Sequence, residues 1–149
     1  MNPFDIKSAL LAKHAQHVVL IHFPIALFLT GVAFDFAAHW TKRATLAAAA
    51  SLNLLVAAVS VPAVVVTGIL AWQLQLDGQK LKGVLLLHLV LGCLSGVLIC
   101  WIAWIHWRTR RVPARTPPNY RFGLELAASL LIALTGHLGG FLSGVNLSG

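Results

Sequence analysis

The chain has 149 residues, of which 58% are hydrophobic and 10% are charged, and its mean hydropathy is +0.83. A soluble domain carries about 25% charged residues, so this composition excludes a soluble globular protein. The net charge of +7 does not indicate a nucleic-acid partner. Its basic residues lie in short segments beside long apolar runs, where they set membrane topology and meet anionic lipid. We therefore expect one membrane domain, residues 1–149, embedded in a lipid bilayer.

In chain order, residues 3–14 mix apolar and polar side chains and predict a helix lying at the membrane surface. Four longer apolar runs follow, at about residues 18–38, 46–73, 83–107 and 122–142. Each is long enough to cross the hydrocarbon core as a helix. The predicted fold is an all-α integral membrane four-helix bundle. Pro24 lies inside the first span, where it should kink the helix or free a backbone carbonyl near His22.

Two of the spans carry a face of small or weakly polar residues, which lets helices pack closely. In the second span the face comprises Asn53, Ala57, Ser60, Val64, Thr67 and Ala71, and in the third His88, Gly92, Ser95 and Ile99. Cys93 and Cys100 lie too far apart along the third helix for a disulfide. We expect both cysteines to be small packing residues at helix contacts.

The four spans place both termini on the same side of the membrane, and the basic residues predict which side. The first and third loops contain Lys42, Arg43, Arg108, Arg110, Arg111, Arg115 and Arg121. The N-terminal segment and the middle loop contain only Lys7, Lys13, Lys80 and Lys82. Because lysine and arginine are in excess on the cytoplasmic side, the termini of this multi-pass protein are predicted to lie on the outer side of the membrane.

Histidines on three different spans are predicted to lie at one depth. His22 and His88 follow the start of their spans, and His137 precedes the end of the fourth. At 1.5 Å per residue, all three should lie roughly 6–8 Å below the same surface, with His17 just above them. An ionisable side chain inside a membrane is costly and is usually held by a partner or a function. We predict a shared site of His22, His88 and His137, with His17 as the next candidate.

Two cofactor chemistries fit this layer of histidines. Haem b takes two axial imidazoles from facing helices of a bundle, and small residues such as Gly92 and Ser95 would leave room for the macrocycle. Copper or zinc would bind three or four of the histidines. Histidine ligands of a metal usually need a carboxylate or carbonyl to fix each ring, and the sequence offers none at this depth. That absence favours haem b, and a bundle without a cofactor is the remaining alternative.

The opposite ends of the spans carry further polar residues. In one arrangement Asp35, Asn53 and Glu125 form a buried cluster of polar groups or a proton path. In a second, Asp35 and Glu125 reach water or pair with Arg121 or Lys42. We expect the second arrangement. His39 and His106 lie beside tryptophans, and both are expected to anchor their helices at the interface. No catalytic residues are predicted, because the chain has no Ser-His-Asp spacing, no phosphate-binding loop and few carboxylates.

The chain resembles a family of small bacterial inner-membrane proteins of unknown function with four predicted helices. The residues that carry the resemblance are His17-x-x-x-x-His22-Phe23-Pro24-Ile25-Ala26-Leu27, Asp35, Thr67-Gly68 and Gly136-His137-Leu138-Gly139-Gly140. Val18 stands where the family often has proline, and the tyrosine and basic residues expected after Gly140 are missing. The resemblance implies the four-span fold, marks His17, His22 and His137 as motif positions, and implies no activity.

From the residues we predict a haem b-binding electron-transfer protein or subunit rather than a stand-alone enzyme. It would pass electrons between a quinone pool or partner membrane subunit and an external redox protein. One alternative is a non-catalytic structural or assembly subunit of a larger membrane complex. Another is a histidine-based copper or zinc protein.

Overall fold

The computed structural model describes residues 15–75, 78–110 and 118–143. It contains four α-helices, α1 (Ala15–Thr41), α2 (Ala44–Gln75), α3 (Gly83–Arg110) and α4 (Arg121–Leu142). Each helix includes the residues of the corresponding predicted span, and the predicted all-α bundle is confirmed. The surface helix predicted over residues 3–14 lies outside the described residues.

All four helices are long and apolar enough to cross a membrane. Their lengths run from 22 residues in α4 to 32 in α2, and a span needs about 20. The chain is therefore a multi-pass membrane protein. The placement of the termini on the outer side, which is the periplasmic side of a bacterial inner membrane, stays a prediction from the charge distribution.

The helices pack in an up-and-down order. The most extensive packing joins α1 to α2, followed by α3 to α4 and α2 to α3, whereas α1 and α4 touch along a short stretch. As a consequence, α1 and α3 lie diagonally across the bundle. We refer to the end where α1 and α3 begin as the upper end and to the opposite one as the lower end.

The core lies between the middle and lower parts of the helices. Phe28 of α1 packs with Leu54 of α2, Ile102 of α3 and Ala128 and Ile132 of α4 in one buried cluster. The small-residue faces of α2 and α3 both point inward, as predicted, with Ala57, Ser95 and Ile99 buried. Cys93 and Cys100 are free and exposed, so the prediction that they pack at helix contacts was wrong.

Most of the hydroxyl and amide side chains bond to their own helix. Ser51, Asn53, Thr109, Ser129 and Thr135 each donate to a backbone carbonyl one turn earlier. In lipid no water is present to satisfy such groups, so a local acceptor removes the cost of placing them in a span. These residues are therefore compatible with membrane helices without forming a site of their own.

The link between α1 and α2 is short and has a defined geometry. Lys42 adopts a left-handed conformation, with φ at 56°, and its backbone N–H donates to the Ala38 carbonyl at 2.9 Å. A left-handed residue after a helix satisfies a terminal carbonyl and reverses the chain. Only Lys42 and Arg43 separate the two helices, so α1 and α2 form a tight antiparallel pair.

The closest approach of α1 to α2 predicts the effect of a glycine substitution. A Cβ atom on Gly31 would lie 2.8 Å from Leu54 Cγ and 3.2 Å from its backbone nitrogen. Gly31→Ala should therefore lower the free energy of unfolding by about 1–3 kcal/mol through overpacking. The matched control is Gly123→Ala on α4, where a Cβ would have no neighbour within 4 Å. Thermal unfolding in detergent should show a lower midpoint for the first variant alone; equal midpoints would contradict this packing.

Candidate functional site

His17, in the first turn of α1, points toward α2. Its Nδ1 lies 3.2 Å from the Thr67 hydroxyl oxygen, and the edge of its ring rests on Gly68, where a Cβ would approach Cε1 to 3.0 Å. Thr67 already lies 3.0 Å from the carbonyls of Ala63 and Val64. Because a hydroxyl has one hydrogen, Thr67 donates to its own helix and accepts from His17 Nδ1–H.

His88 makes an equivalent contact between α3 and α4. Its Nδ1 lies 3.0 Å from the Thr135 carbonyl oxygen, which can only accept, so Nδ1 carries the hydrogen. The ring rests on Gly139, where a Cβ would approach Cε1 to 3.1 Å. The absence of that Cβ lets the imidazole reach the helix backbone. The expectation that no carbonyl at this depth could fix a ring was therefore wrong, and it no longer favours haem b over copper or zinc.

His17 and His88 lie near each other at the upper end of the bundle. In both, the hydrogen bond to a neighbouring helix places the hydrogen on Nδ1. Nε2 then carries a lone pair. We call these two residues the histidine pair. It presents two unprotonated imidazole nitrogens, the form that binds metals.

His22 and His137 lie apart from the histidine pair. Both side chains are exposed. His22 Nδ1 bonds to the Val18 carbonyl of its own helix at 2.6 Å, and His137 packs edge-on against Phe141. Of the four predicted site residues, the fold thus brings His17 and His88 together and leaves His22 and His137 on the outer faces of α1 and α4.

The lower end contains a buried ion pair between α1 and α4. Arg121 donates from Nε to Asp35 Oδ2 at 2.6 Å and from a terminal nitrogen to Oδ1 at 3.4 Å. Asp35 is 4% exposed and Arg121 6%. The guanidinium also lies 4.0 Å from the centre of the Phe122 ring. Asp35 therefore pairs with Arg121, one of its two predicted partners, but does so inside the protein rather than in water.

His106 of α3 and Glu125 of α4 lie next to this ion pair. His106 Nε2 lies 2.9 Å from Glu125 Oε1, and the two residues are 2% and 0% exposed. The prediction that His106 anchors α3 at the interface was therefore wrong, because its ring points into the bundle. We call Asp35, His106, Arg121 and Glu125 the buried polar cluster. Asn53 is outside it and bonds to its own helix.

Three members of the buried polar cluster have the geometry of metal ligands. One ligand atom from each of Asp35, His106 and Glu125 lies within 4.8 Å of the other two, and all three residues are buried. Two carboxylates and one imidazole suit divalent ions of the first transition row. This triad could hold a metal ion.

A cavity of about 530 Å³ opens beside the buried polar cluster. Asp35, His106 and Arg121 line it, together with basic side chains near the helix ends, namely His39, Lys42 and Arg110. Lys42, Arg110 and His39 are exposed. The cavity therefore reaches the buried polar cluster from one end of the bundle, which the basic residues predict to be the cytoplasmic one, although the cluster residues themselves are at most 6% exposed.

A regular spacing in the sequence connects the histidine pair with the buried polar cluster. Eighteen residues separate His17 from Asp35 and also His88 from His106. Eighteen residues make five helical turns, so each pair shares one helix face and lies roughly 27 Å apart along it. The inward face that carries His88 therefore also carries His106, a signal that the tryptophans around His106 obscured. Glu125 had no comparable signal, because its partner lies on another helix.

The sequence model of a family of predicted membrane proteins, DUF2231, matches residues 13–145. The chain belongs to this family. The match confirms the resemblance based on the His17–Leu27 and Gly136–Gly140 motifs and includes both the histidine pair and the buried polar cluster. No curated protein and no solved structure matches this DUF2231 protein significantly.

The buried ion pair predicts a large effect on stability. Asp35→Ala would leave the Arg121 guanidinium buried without its carboxylate, and breaking such a pair costs about 3–5 kcal/mol of unfolding free energy. Removing both side chains, in Asp35→Ala/Arg121→Ala, should cost less than the sum of the two single changes. Denaturant unfolding of the four proteins measures this coupling. Strictly additive losses would contradict it, and Lys42→Ala at the exposed rim should stay within about 0.5 kcal/mol of the parent.

Proposed function

We propose that the protein binds haem b at its upper end, with His17 and His88 as axial ligands, and transfers electrons within the membrane. The observation that carries the proposal is the histidine pair. Two imidazoles from diagonal helices lie near each other, and each donates its Nδ1 hydrogen to a neighbouring helix. Such hydrogen bonds orient histidine ligands and raise their basicity.

The surroundings of the histidine pair support the same proposal. Gly68 and Gly139 lie against the two rings, and Gly92, on the face of α3 below His88, has the Thr135 methyl as its nearest neighbour at 3.8 Å from an added Cβ. Small residues next to ligands are the positions at which a bundle can accept a flat cofactor between its helices. Bound haem would supply a one-electron redox centre, and the protein would hold its iron and exclude water from it.

The electron donors and acceptors follow from the position of the proposed haem near one membrane surface. A haem near one surface exchanges electrons most readily with a redox protein docked on that surface or with a lipid-soluble quinone. A partner membrane subunit could serve the same purpose. We propose these three classes as the electron donors and acceptors, on the side that the charge distribution predicts to be periplasmic.

A second candidate function, a subunit of a larger membrane complex, is favoured by a separate observation. His22 and His137 are exposed on helices α1 and α4, at positions within the membrane-spanning segments. A polar ring is costly when it faces lipid. A helix of another subunit that covers these two side chains would remove that cost. Size determination of the protein extracted gently from its native membrane distinguishes a subunit from a stand-alone bundle.

The haem proposal predicts which histidines matter. His17→Ala and His88→Ala should each remove most of the Soret absorbance per protein, because one axial ligand is lost. His22→Ala and His137→Ala are matched controls that remove an exposed imidazole at similar depth, and both should retain the parent spectrum. The measurement is an absorption spectrum of detergent-purified protein, oxidised and then reduced with dithionite. A parent protein without a Soret band, or equal losses in all four variants, would refute the ligand assignment.

Metal analysis of the same samples separates haem from the other cofactors. Iron in proportion to the Soret band supports haem b. Copper or zinc bound without a Soret band, and lost in His17→Ala and His88→Ala, would instead indicate that the histidine pair binds a bare metal ion.

A further inference from the structure

We propose that the buried triad Asp35, His106 and Glu125 binds a divalent ion of the first transition row at the lower end of the bundle. The site would be separate from the histidine pair, since eighteen residues of α1 and of α3, or roughly 27 Å, lie between them. It takes one ligand from each of α1, α3 and α4. The inference therefore does not depend on the haem proposal.

The strongest indication is an oxygen atom without a partner. Glu125 is fully buried, and its Oε2 has no hydrogen-bond partner within the part of the chain that the structure describes. A buried carboxylate oxygen in that state carries a desolvation cost of about 1–3 kcal/mol or more. A proton on Oε1, donated to His106 Nε2, would remove the charge but would leave Oε2 without a partner. A cation satisfies the oxygen directly.

The spacing of the donor atoms agrees with this inference. His106 Nε2 and Glu125 Oε1 are 2.9 Å apart and form a hydrogen bond, which an ion would replace once Nε2 has lost its hydrogen. The Asp35 oxygen completes a set within 4.8 Å. A small shift of one side chain therefore brings the three donors onto one ion.

The charges of the buried polar cluster are compatible with a divalent ion that carries one further anion. With His106 neutral, as a ligand requires, the two carboxylates and the Arg121 guanidinium leave one buried negative charge. A divalent ion changes this to one positive charge, which a hydroxide or another anion from the cavity would balance. Arg121 would remain on Asp35 and orient that carboxylate, since ligating carboxylates are commonly hydrogen-bonded by a further residue.

The cavity supplies the route of entry and the remaining coordination position. Asp35 and His106 line it while Glu125 lies behind them, so an ion that enters from the cavity meets two ligands first. Three protein ligands with one open position are typical of reactive or exchangeable metal sites rather than closed structural ones. The mixed nitrogen and oxygen donors suit Zn²⁺ and Mn²⁺ better than Ca²⁺, which takes oxygen ligands.

The test is a metal titration of the full-length protein in detergent, purified with a tag that contains no histidine and stripped with a chelator. Zn²⁺ and Mn²⁺ are added separately, and bound metal is measured by equilibrium dialysis and elemental analysis. We expect about one equivalent of at least one of these ions per chain, together with a rise in the thermal unfolding midpoint, since an ion that binds only the folded state stabilises it.

Three variants assign the site. Glu125→Gln and His106→Gln preserve most of the side-chain volume but remove a ligand, and each should weaken binding at least tenfold. His39→Asn is the matched control, because it removes an exposed imidazole from the same cavity without touching the triad. The double variant His17→Ala/His88→Ala removes the histidine pair, and it should bind the added ion like the parent.

The proposal is overturned if the parent binds neither ion, or if Glu125→Gln and His106→Gln bind as tightly as the parent. It is also overturned if the ion is lost on removal of the histidine pair. The parent titration and its thermal shift do not require the variants to fold, so a poorly folded variant leaves the test intact. Loss of the Soret band in His17→Ala/His88→Ala with metal binding retained would separate the two sites.

Discussion

The pairing of Asp35 with Arg121 is the interaction on which the closure of the bundle depends. Two opposite charges lie within a few ångströms of each other at a position almost sealed from solvent. Neither could remain charged alone in a membrane without a large cost. Because Asp35 is on α1 and Arg121 on α4, the pair joins the two adjacent helices that otherwise pack least. The rings of Phe36 and Phe122, whose centroids are 4.7 Å apart, form a second contact between the same two helices.

The two ends of the bundle stabilise polar side chains inside the membrane by different interactions. At the lower end, charged groups neutralise one another around Glu125, and one carboxylate oxygen remains unsatisfied. At the upper end, neutral imidazoles donate to Thr67 and to the Thr135 carbonyl and keep a lone pair each. The proposed cation would use the oxygen donors of the first arrangement, and the proposed haem would use the nitrogen donors of the second. Each proposed ligand set follows from how its end is stabilised.

The periodicity of apolar residues was sufficient to predict the four helices and the inward faces of α2 and α3. Periodicity could not show which of His17 and His22 faces the interior of the bundle. Depth favoured His22, but the two residues point about 140° apart on a helix, and only the positions of Thr67 and Gly68 show that His17 faces inward. The pairing of His106 with Glu125 was also beyond prediction from composition, because Trp104, Trp107 and Arg108 next to His106 are typical of an interface.

The eighteen-residue spacing has a mechanical consequence for α1 and α3. Each of these helices is held at two points on one face, near its first turns and near its last. Helix α1 is held by α2 and by α4, whereas α3 is held by α4 at both points. A helix held at two points in this way cannot rotate about its own axis without breaking the contacts at both points. Any movement that one end imposes on the other must therefore be a tilt or a bend of the helix, and torsion is blocked.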